Sequence, residues 1–329
     1  MKTALAARVA LRAAANLLTK KPLCVSFEVT YSCPAACRHC NRGGLKQEDG
    51  LMRPEDYRRL SNELSISTCQ LSGGEPLTRD DLEDVVRAVK RPSGLPLVIC
   101  VSNWWLMTEE RYLSLTEAGV DIFSVSLDFP DRRHDDFRRL QGHYDKLNDI
   151  IPRMAKKYKL NNIVLNSALT HANFAEIPGL VEQAEKWGVK IAFSAYCVLR
   201  TGDDGYCIND EKDLEILRGH IDYLLKHKKH SNTVLSSSHL LKNTLRFFED
   251  GGNFPDCKAG ERFLIIRPDG VMNACSFFPE HEYKTQKEAL RDFDVRNTCT
   301  KCYVAIRAST ERPLLRLFLD SIEAYTQIH

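Results

Sequence analysis

From residue 23 to residue 196 the chain alternates between short β-rich runs and helical stretches. The β-rich runs are Leu23–Thr30, Thr68–Ser72, Pro96–Ser102, Asp121–Asp128, Asn162–Leu169 and Lys190–Tyr196. Between them stand Pro54–Leu64, Asp81–Arg91, Thr108–Ala118, a long stretch from Asp131 to Tyr158, and Ala175–Gly188. Each of these has helical periodicity or a start signal such as Thr108-Glu109-Glu110. Strand–helix alternation calls for a parallel sheet with right-handed crossovers. Six units fill roughly 170 residues, too few for an eight-fold barrel of about 250. The expected class is therefore α/β, with a partial (β/α)6 TIM-like barrel as the economical form and an open doubly wound sheet as its rival.

The flanks have other rhythms. Beyond Gly202, Asp213–His230 and Ser237–Asp250 read as helices, and Gly251-Gly252 breaks the chain. Residues 263–275 place the turn signal Pro268-Asp269-Gly270 between two short apolar runs, which predicts a hairpin in a small α+β domain. A last helix is expected over Pro313–Tyr325. The organisation expected is a basic N-terminal segment 1–22, a barrel 23–203, linking helices 204–252, a small C-terminal domain 253–312 and a closing helix 313–329.

Residues 1–22 carry Lys2, Arg8, Arg12, Lys20 and Lys21, and the first acid is Glu28. On a helical wheel Ala4, Ala7, Leu11, Ala14 and Leu18 share a face opposite Arg8, Arg12, Asn16 and Thr19, while Leu5 and Val9 fall on the wrong side. That modest amphipathicity favours a helix packed on the domain. A basic helix lying on a membrane surface is the alternative, and it carries the expectation of a peripheral membrane contact.

Charge and cysteine usage narrow the function classes. Lys and Arg number 46 against 44 Asp and Glu, a net charge of +2, which excludes a strongly basic nucleic-acid binder. No apolar run approaches the roughly 20 residues of a spanning helix. No secretory signal is apparent, so the expected compartment is the cytoplasm, where thiols stay reduced. Yet there are 12 cysteines. Cys24, Cys69 and Cys100 sit in apolar runs and read as small buried hydrophobes. The clustered ones read as metal ligands or catalytic thiols.

Directly after the first strand comes Thr30-Tyr-Ser-Cys33-Pro-Ala-Ala-Cys37-Arg-His-Cys40. Active sites of such barrels sit in the loops at the C-terminal ends of the strands. Three thiolates are one short of a closed structural site and leave a metal position open. One unit later, Leu71-Ser72-Gly73-Gly74-Glu75-Pro76 joins two glycines, which let a ligand approach the backbone, to a carboxylate that suits a ligand ammonium. This pattern resembles the radical S-adenosylmethionine (SAM) superfamily, whose C-x3-C-x2-C signature Cys33, Cys37 and Cys40 match; His39 stands where the family often has an aromatic residue. The resemblance covers about residues 23–200. It implies a [4Fe-4S] cluster on those three cysteines with one iron left for SAM. It also implies that Gly73, Gly74 and Glu75 meet the methionine amino group. Ser102, Asn103, Ser126, Asp128 and Asn166, at or in later strands, are the further SAM-binding candidates.

Cys257, Cys275, Cys299 and Cys302 form a second set, with the predicted hairpin inside it. Their spacing accommodates zinc or an iron–sulfur cluster and does not choose; zinc is the commoner structural metal. The segment is similar to SPASM/twitch modules of radical SAM enzymes, which open with C-x9–15-G-x4-C, as residues 257–275 do. Ala308 and Arg312 stand where a full SPASM module continues its cysteines, so the shorter twitch version is implied, with one auxiliary [4Fe-4S] cluster on all four thiols.

The resemblance implies an enzyme that cleaves SAM to a 5′-deoxyadenosyl radical and takes hydrogen from a substrate. The auxiliary cluster would then accept an electron, giving oxidation or a new bond. Two alternatives stand beside this: redox-neutral addition to or cross-linking of a lipid or isoprenoid at a membrane surface, and a non-catalytic iron–sulfur scaffold or regulator. The substrate is a small molecule, lipid or peptide; only 22 residues precede the barrel, which counts against a peptide delivered by an N-terminal recognition domain. A flavodoxin- or ferredoxin-type electron donor is implied, and no nucleic acid. No general acid or base is assigned. Tyr196, Arg200, Trp104, Trp105 and His281 are weaker candidates, and packing under a loop is the better reading of the tryptophans.

Overall fold

The computed structural model describes residues 2–293 and 297–311. The expected closing helix 313–329, together with Arg312, lies outside the described residues. Among the described residues the elements follow the alternation. They are α1 (Lys2–Leu18), β1 (Cys24–Thr30), α2 (Pro54–Leu64), β2 (Thr68–Gly73), α3 (Leu82–Val89), β3 (Leu97–Ser102), α4 (Glu109–Ala118), β4 (Ile122–Ser126), α5 (Arg133–Arg138), α6 (His143–Tyr158), β5 (Ile163–Leu169), α7 (Ile177–Trp187) and β6 (Lys190–Ala195). The stretch 131–158 is two helices, because Arg139 and Gly142 adopt left-handed conformations that end α5 and precede α6.

The sheet order is β6-β5-β4-β3-β2-β1, with every neighbouring pair parallel. An order that never reverses is singly wound, which removes the doubly wound rival and establishes the partial barrel. Beyond it come α8 (Glu211–His227), α9 (Ser238–Glu249), β7 (Phe263–Ile266), β8 (Met272–Asn273), β9 (Glu282–Tyr283), α10 (Gln286–Asp292) and α11 (Ala305–Thr310). The predicted hairpin is β7–β8, antiparallel with Ile266 opposite Met272. β7 also pairs in parallel with β1, so the hairpin and β9 extend the barrel sheet to nine strands.

Alternation along the strands sorts two faces. Val25, Phe27, Val29, Cys69, Leu71, Val98 and Cys100 are buried in the layer between sheet and helices. Cys69 and Cys100 are thus core residues, as expected. The other face is small or polar: Ser26, Gln70, Ser124 and Ser194 line the barrel interior. Short side chains leave the barrel hollow, with a lumen of about 640 Å³, within the range of small-molecule sites.

The starts of the strands are covered by α1. Ala6, Val9 and Ala10 are buried against the lumen, and the buried Asn16 amide donates to the carbonyls of Pro22 (2.7 Å) and Ser65 (3.0 Å). The buried side is therefore not the stripe of the helical wheel: Leu11 and Leu18 point outward, and Val9 points in. The expected membrane association is corrected here. Among the described residues no helix is long and apolar enough to cross a membrane, and α1 spends its small-residue face on the barrel.

Candidate active site

The loop after β1 is held from several directions. The Glu48 carboxylate accepts from the backbone N–H of Tyr31 (2.6 Å) and Ser32 (3.3 Å) and from the Thr30 hydroxyl. Cys33 N donates to Gly44 O, and Gly44 N to Ala35 O. Ala36 N and Arg38 N donate to the carbonyls of Arg138 and Phe137, which clips the loop onto α5. The His39 ring stacks on Phe137, centroids 4.6 Å apart and planes 12° from parallel. His39 thus does the packing work of the aromatic residue usual at its position.

This scaffold brings Cys33, Cys37 and Cys40 together at one wall of the lumen. Each sulfur faces a donor: Asn103 Nδ2 lies 3.7 Å from Cys33 Sγ, Arg138 Nη1 3.9 Å from Cys37 Sγ, and Arg42 N 3.5 Å from Cys40 Sγ. Burial pushes the Cys33 thiol up to about 12 and raises Cys37 as well, so unligated thiols stay protonated. A metal reverses that preference by deprotonating its thiols outright. Among the described residues no three His, Cys, Asp or Glu side chains converge on one point that a single ion could occupy. Three separated thiols, each facing a donor, fit an anionic polynuclear cluster with one open corner.

Gly73 and Gly74 line the same lumen. A Cβ on Gly73, whose φ is +123°, would stand 2.2 Å from Thr30 O; one on Gly74 would stand 2.3 Å from Ser32 O. The glycines let β2 close onto the start of the cysteine loop. Glu75 is 1% exposed. Its carboxylate accepts from Ser102 Oγ (2.6 Å), Asn103 N (2.7 Å) and Leu77 N (3.1 Å), and burial raises its pKa. Glu75 therefore fixes the end of β3. The next residue, Trp104, has φ of +62° and packs edge-on against Tyr112 and Phe123, and this tight turn leaves Ser102 and Asn103 on the lumen. Trp104 packs, as expected; Trp105 is half-buried and meets His143 edge-on.

Ser126 and Asn166 also line the lumen. Asp128 does not: it is fully buried and pairs with Arg138 at 2.7 Å. It is the partner that holds a buried guanidinium at the lumen wall, beside Cys37. The sequence reading missed Arg138, whose partner Asp128 lies ten positions away along the chain. It also missed Arg42, which pairs with Glu28 at 3.1 Å and stacks on Tyr31 at 4.0 Å.

The second cysteine set is assembled around Arg307, which is fully buried. Its guanidinium donates to the carbonyls of Cys302 (2.7 Å), Phe254 (2.8 Å) and Pro255 (2.6 Å), lies 3.9 Å from Cys302 Sγ and pairs with Glu311 at 2.6 Å. Asn297 joins two of the ligand segments: its Nδ2 donates to Cys257 O (3.2 Å) and its Oδ1 accepts from Cys299 N (3.0 Å). Burial pushes Cys257 up to about 12 and raises Cys275, and each of them senses the charge of other thiols of the set. Cys302 is pulled below the ordinary thiol value by hydrogen bonding from Cys197 and by Arg307. Four separated thiols beside a cation, Cys275 and Cys302 buried and Cys257 and Cys299 half-buried, again fit a polynuclear cluster. Ala308, where a further cysteine would stand in the longer module, is buried apolar core.

Both sites border the same cavity. Ser276 and Phe277, next to Cys275, and Ile306, near Cys302, line the lumen that the Cys33 loop lines. Arg200 stacks on Phe277 at 4.8 Å across this junction. Tyr196 lines the lumen with its hydroxyl bonded to Thr201 Oγ1 (2.6 Å) and to Asp203 O (3.0 Å). His281 is half-exposed in an outer groove away from the lumen.

A hollow partial barrel with cysteines in its first loop defines a class, and the comparisons agree with it. Residues 27–184 match the radical SAM superfamily. This stretch, just under half of the chain, is a radical SAM domain, the catalytic domain of an enzyme. A probable GTP 3′,8-cyclase of Methanothermobacter marburgensis is 34% identical over 113 residues, which cover 33% of this chain and 36% of that protein. An AdoMet-dependent heme synthase of Oleidesulfovibrio alaskensis is 25% identical over 78% of this chain and 70% of its own length. In fold, the chain resembles anSMEcpe with bound AdoMet (TM-score 0.64, 16% identity, 93% of this chain and 96% of that one). It also resembles Streptococcus suis SuiB bound to S-adenosylmethionine (TM-score 0.62, 16% identity, 83% and 65%). Enzymes of this superfamily cleave SAM to a 5′-deoxyadenosyl radical that abstracts hydrogen from a substrate.

Proposed function

We propose that this enzyme binds SAM in the barrel lumen and oxidises a substrate at the lumen mouth, with the second cysteine set as electron acceptor. The observation that carries the reading is the shared cavity, bordered by Cys33, Cys37 and Cys40 on one side and by Ser276, Phe277 and Ile306 on the other. A [4Fe-4S] cluster on Cys33, Cys37 and Cys40 would supply the electron for SAM cleavage, and one on Cys257, Cys275, Cys299 and Cys302 would accept an electron afterwards.

This chain's own residues bind and orient. Arg138, held by Asp128, offers a cation to the SAM carboxylate next to the cysteine loop. Glu75 keeps Ser102 and Asn103 on the lumen. Ser126 and Asn166 offer hydrogen bonds deeper in. α1 closes the far end against water, which protects a radical from side reactions. A peptide side chain is the substrate class that the fold relatives favour, since SuiB has been seen with the precursor peptide SuiA and anSMEcpe with peptide. Arg200 and Tyr196 stand where such a side chain would enter.

Anaerobically reconstituted enzyme, given dithionite and SAM, is expected to release 5′-deoxyadenosine. With SAM and a library of short peptides, the substrate is expected to come out two hydrogens lighter by mass spectrometry. No 5′-deoxyadenosine would overturn the enzymatic reading of the site. A product that carries the adenosyl group instead of losing hydrogen would replace oxidation by redox-neutral addition.

A further inference from the structure

Three arginines line the lumen, and two of them are already paired. Arg42 meets Glu28 at 3.1 Å, and Arg138 meets Asp128 at 2.7 Å. The other acid of the lumen wall, Glu75, is bonded to Ser102 and Asn103. Among the described residues no carboxylate lies within 4.0 Å of Arg200, and its guanidinium donates to no protein acceptor. Arg200 is nevertheless held in place. It ends the short turn Val198–Arg200 after β6, where its backbone N donates to Cys197 O (2.9 Å) and Gly202 N donates to Val198 O (2.7 Å). Its half-buried side chain lies over the Phe277 ring, 4.8 Å from the centroid. Phe277 N donates in turn to Cys275 Sγ (3.5 Å), which ties this junction to the second cysteine set. Beside it the Ser276 hydroxyl borders the lumen, also without a hydrogen-bond partner among the described residues.

We propose that Arg200 anchors a carboxylate of the substrate, with the Ser276 hydroxyl as a second donor, so that the enzyme acts on carboxylate-bearing molecules. The proposal rests on the reading that substrate enters at this end of the lumen, and it names the class. A charge drawn out of water is costly unless it finds a partner. Stacking on Phe277 uses the face of the guanidinium and leaves the N–H fork at its edge free. That fork matches the two oxygens of a carboxylate. A phosphate dianion asks for more positive charge than one guanidinium. The neighbours that could add it, Arg42 and Arg138, are neutralised by Glu28 and Asp128. In a peptide the group would be an acidic side chain or the C-terminal carboxylate. Held beside Phe277, it fixes one end of the substrate at the second cysteine set and leaves the rest to reach toward the first.

The test is footprinting of the full-length, reconstituted enzyme with phenylglyoxal, which modifies arginines, read residue by residue by mass spectrometry. Glutarate is the carboxylate probe, glutaramide its uncharged counterpart and inorganic phosphate the competing anion, each added to SAM-loaded enzyme. Arg200 is expected to be labelled in the presence of SAM and to lose most of that labelling as glutarate rises, while glutaramide and phosphate leave it unchanged. SAM is expected to protect Arg138 instead. An Arg200 that glutarate does not protect, or that stays unlabelled without SAM or probe, overturns the proposal. Protection by SAM itself would give Arg200 to the SAM carboxylate and also overturn it. Protection by phosphate as strong as that by glutarate would overturn the carboxylate class in favour of phosphate. The footprint reads binding alone, so it fails separately from the oxidation reading, which 5′-deoxyadenosine and product mass decide.

Discussion

The two cysteine sites use the same chemical group in opposite settings. The first is a loop over a hollow barrel, with three thiols each facing one donor and the lumen open beside them. The second has a full set: four thiols come from three segments, and a buried arginine clasps Cys302 by its carbonyl and its sulfur. An open corner suits a site that must hold a ligand. A full ligand set suits one that only exchanges electrons. The difference lies less in the cysteines than in what surrounds them: a hollow lumen in one case, a guanidinium spanning three carbonyls in the other.

The largest effect expected from breaking this contrast is chemical. Cys33→Ala, Cys37→Ala or Cys40→Ala should each abolish 5′-deoxyadenosine release, whereas Cys275→Ala should leave dithionite-driven release largely intact while blocking oxidised product. Chromatography of both products checks it; equal loss from both sites would erase the distinction. Next comes Arg307→Met, which leaves Glu311 buried without its partner and should cost about 3–5 kcal/mol. Iron should be lost from the second site alone, read by urea titration and iron counts.

Gly74→Ala pushes a methyl group to within 2.3 Å of Ser32 O, so β2 and the first loop must part. A cost of about 1–3 kcal/mol is expected, with iron lost from the first site and kept at the second.

Acid should separate the sites as well. Burial lowers His143 from 6.5 to about 4 and His134 in the same direction, and both pack behind the first site. Because the folded pKa lies below the unfolded one, stability is full above pH 6.5 and falls as pH drops toward 4, by roughly 3 kcal/mol for His143. His143→Gln, which keeps a donor for Asn103 O, should flatten that fall in a pH series of urea midpoints. The smallest effect is expected from His281→Ala in the outer groove, within about 0.5 kcal/mol and with iron unchanged at both sites.

Much of this was legible in the chain. Strand–helix alternation is local, and so is C-x3-C-x2-C, so the barrel and its first loop follow from short windows. What was not legible depends on distant partners. Asp128 looked like a ligand-facing carboxylate until α5 brought Arg138 onto it. Gly73 and Gly74 read as space for a ligand; only the pairing of β2 with β1 reveals the carbonyls they also avoid. The wheel of α1 gave the wrong buried face, because the floor of a hollow barrel accepts alanine where a solid core would select leucine. Arg200 and Phe277 lie far apart in the chain, and no spacing rule joins them.

The central claim, one open and one closed cluster site bordering a single lumen, is tested most directly by iron and sulfide counts after anaerobic reconstitution. Wild type should hold about eight irons per chain, and the Cys33/Cys37/Cys40 triple alanine variant about four. About four irons in wild type and none in the variant, with zinc in the second site, would contradict the account and leave the barrel cysteines as the sole redox centre.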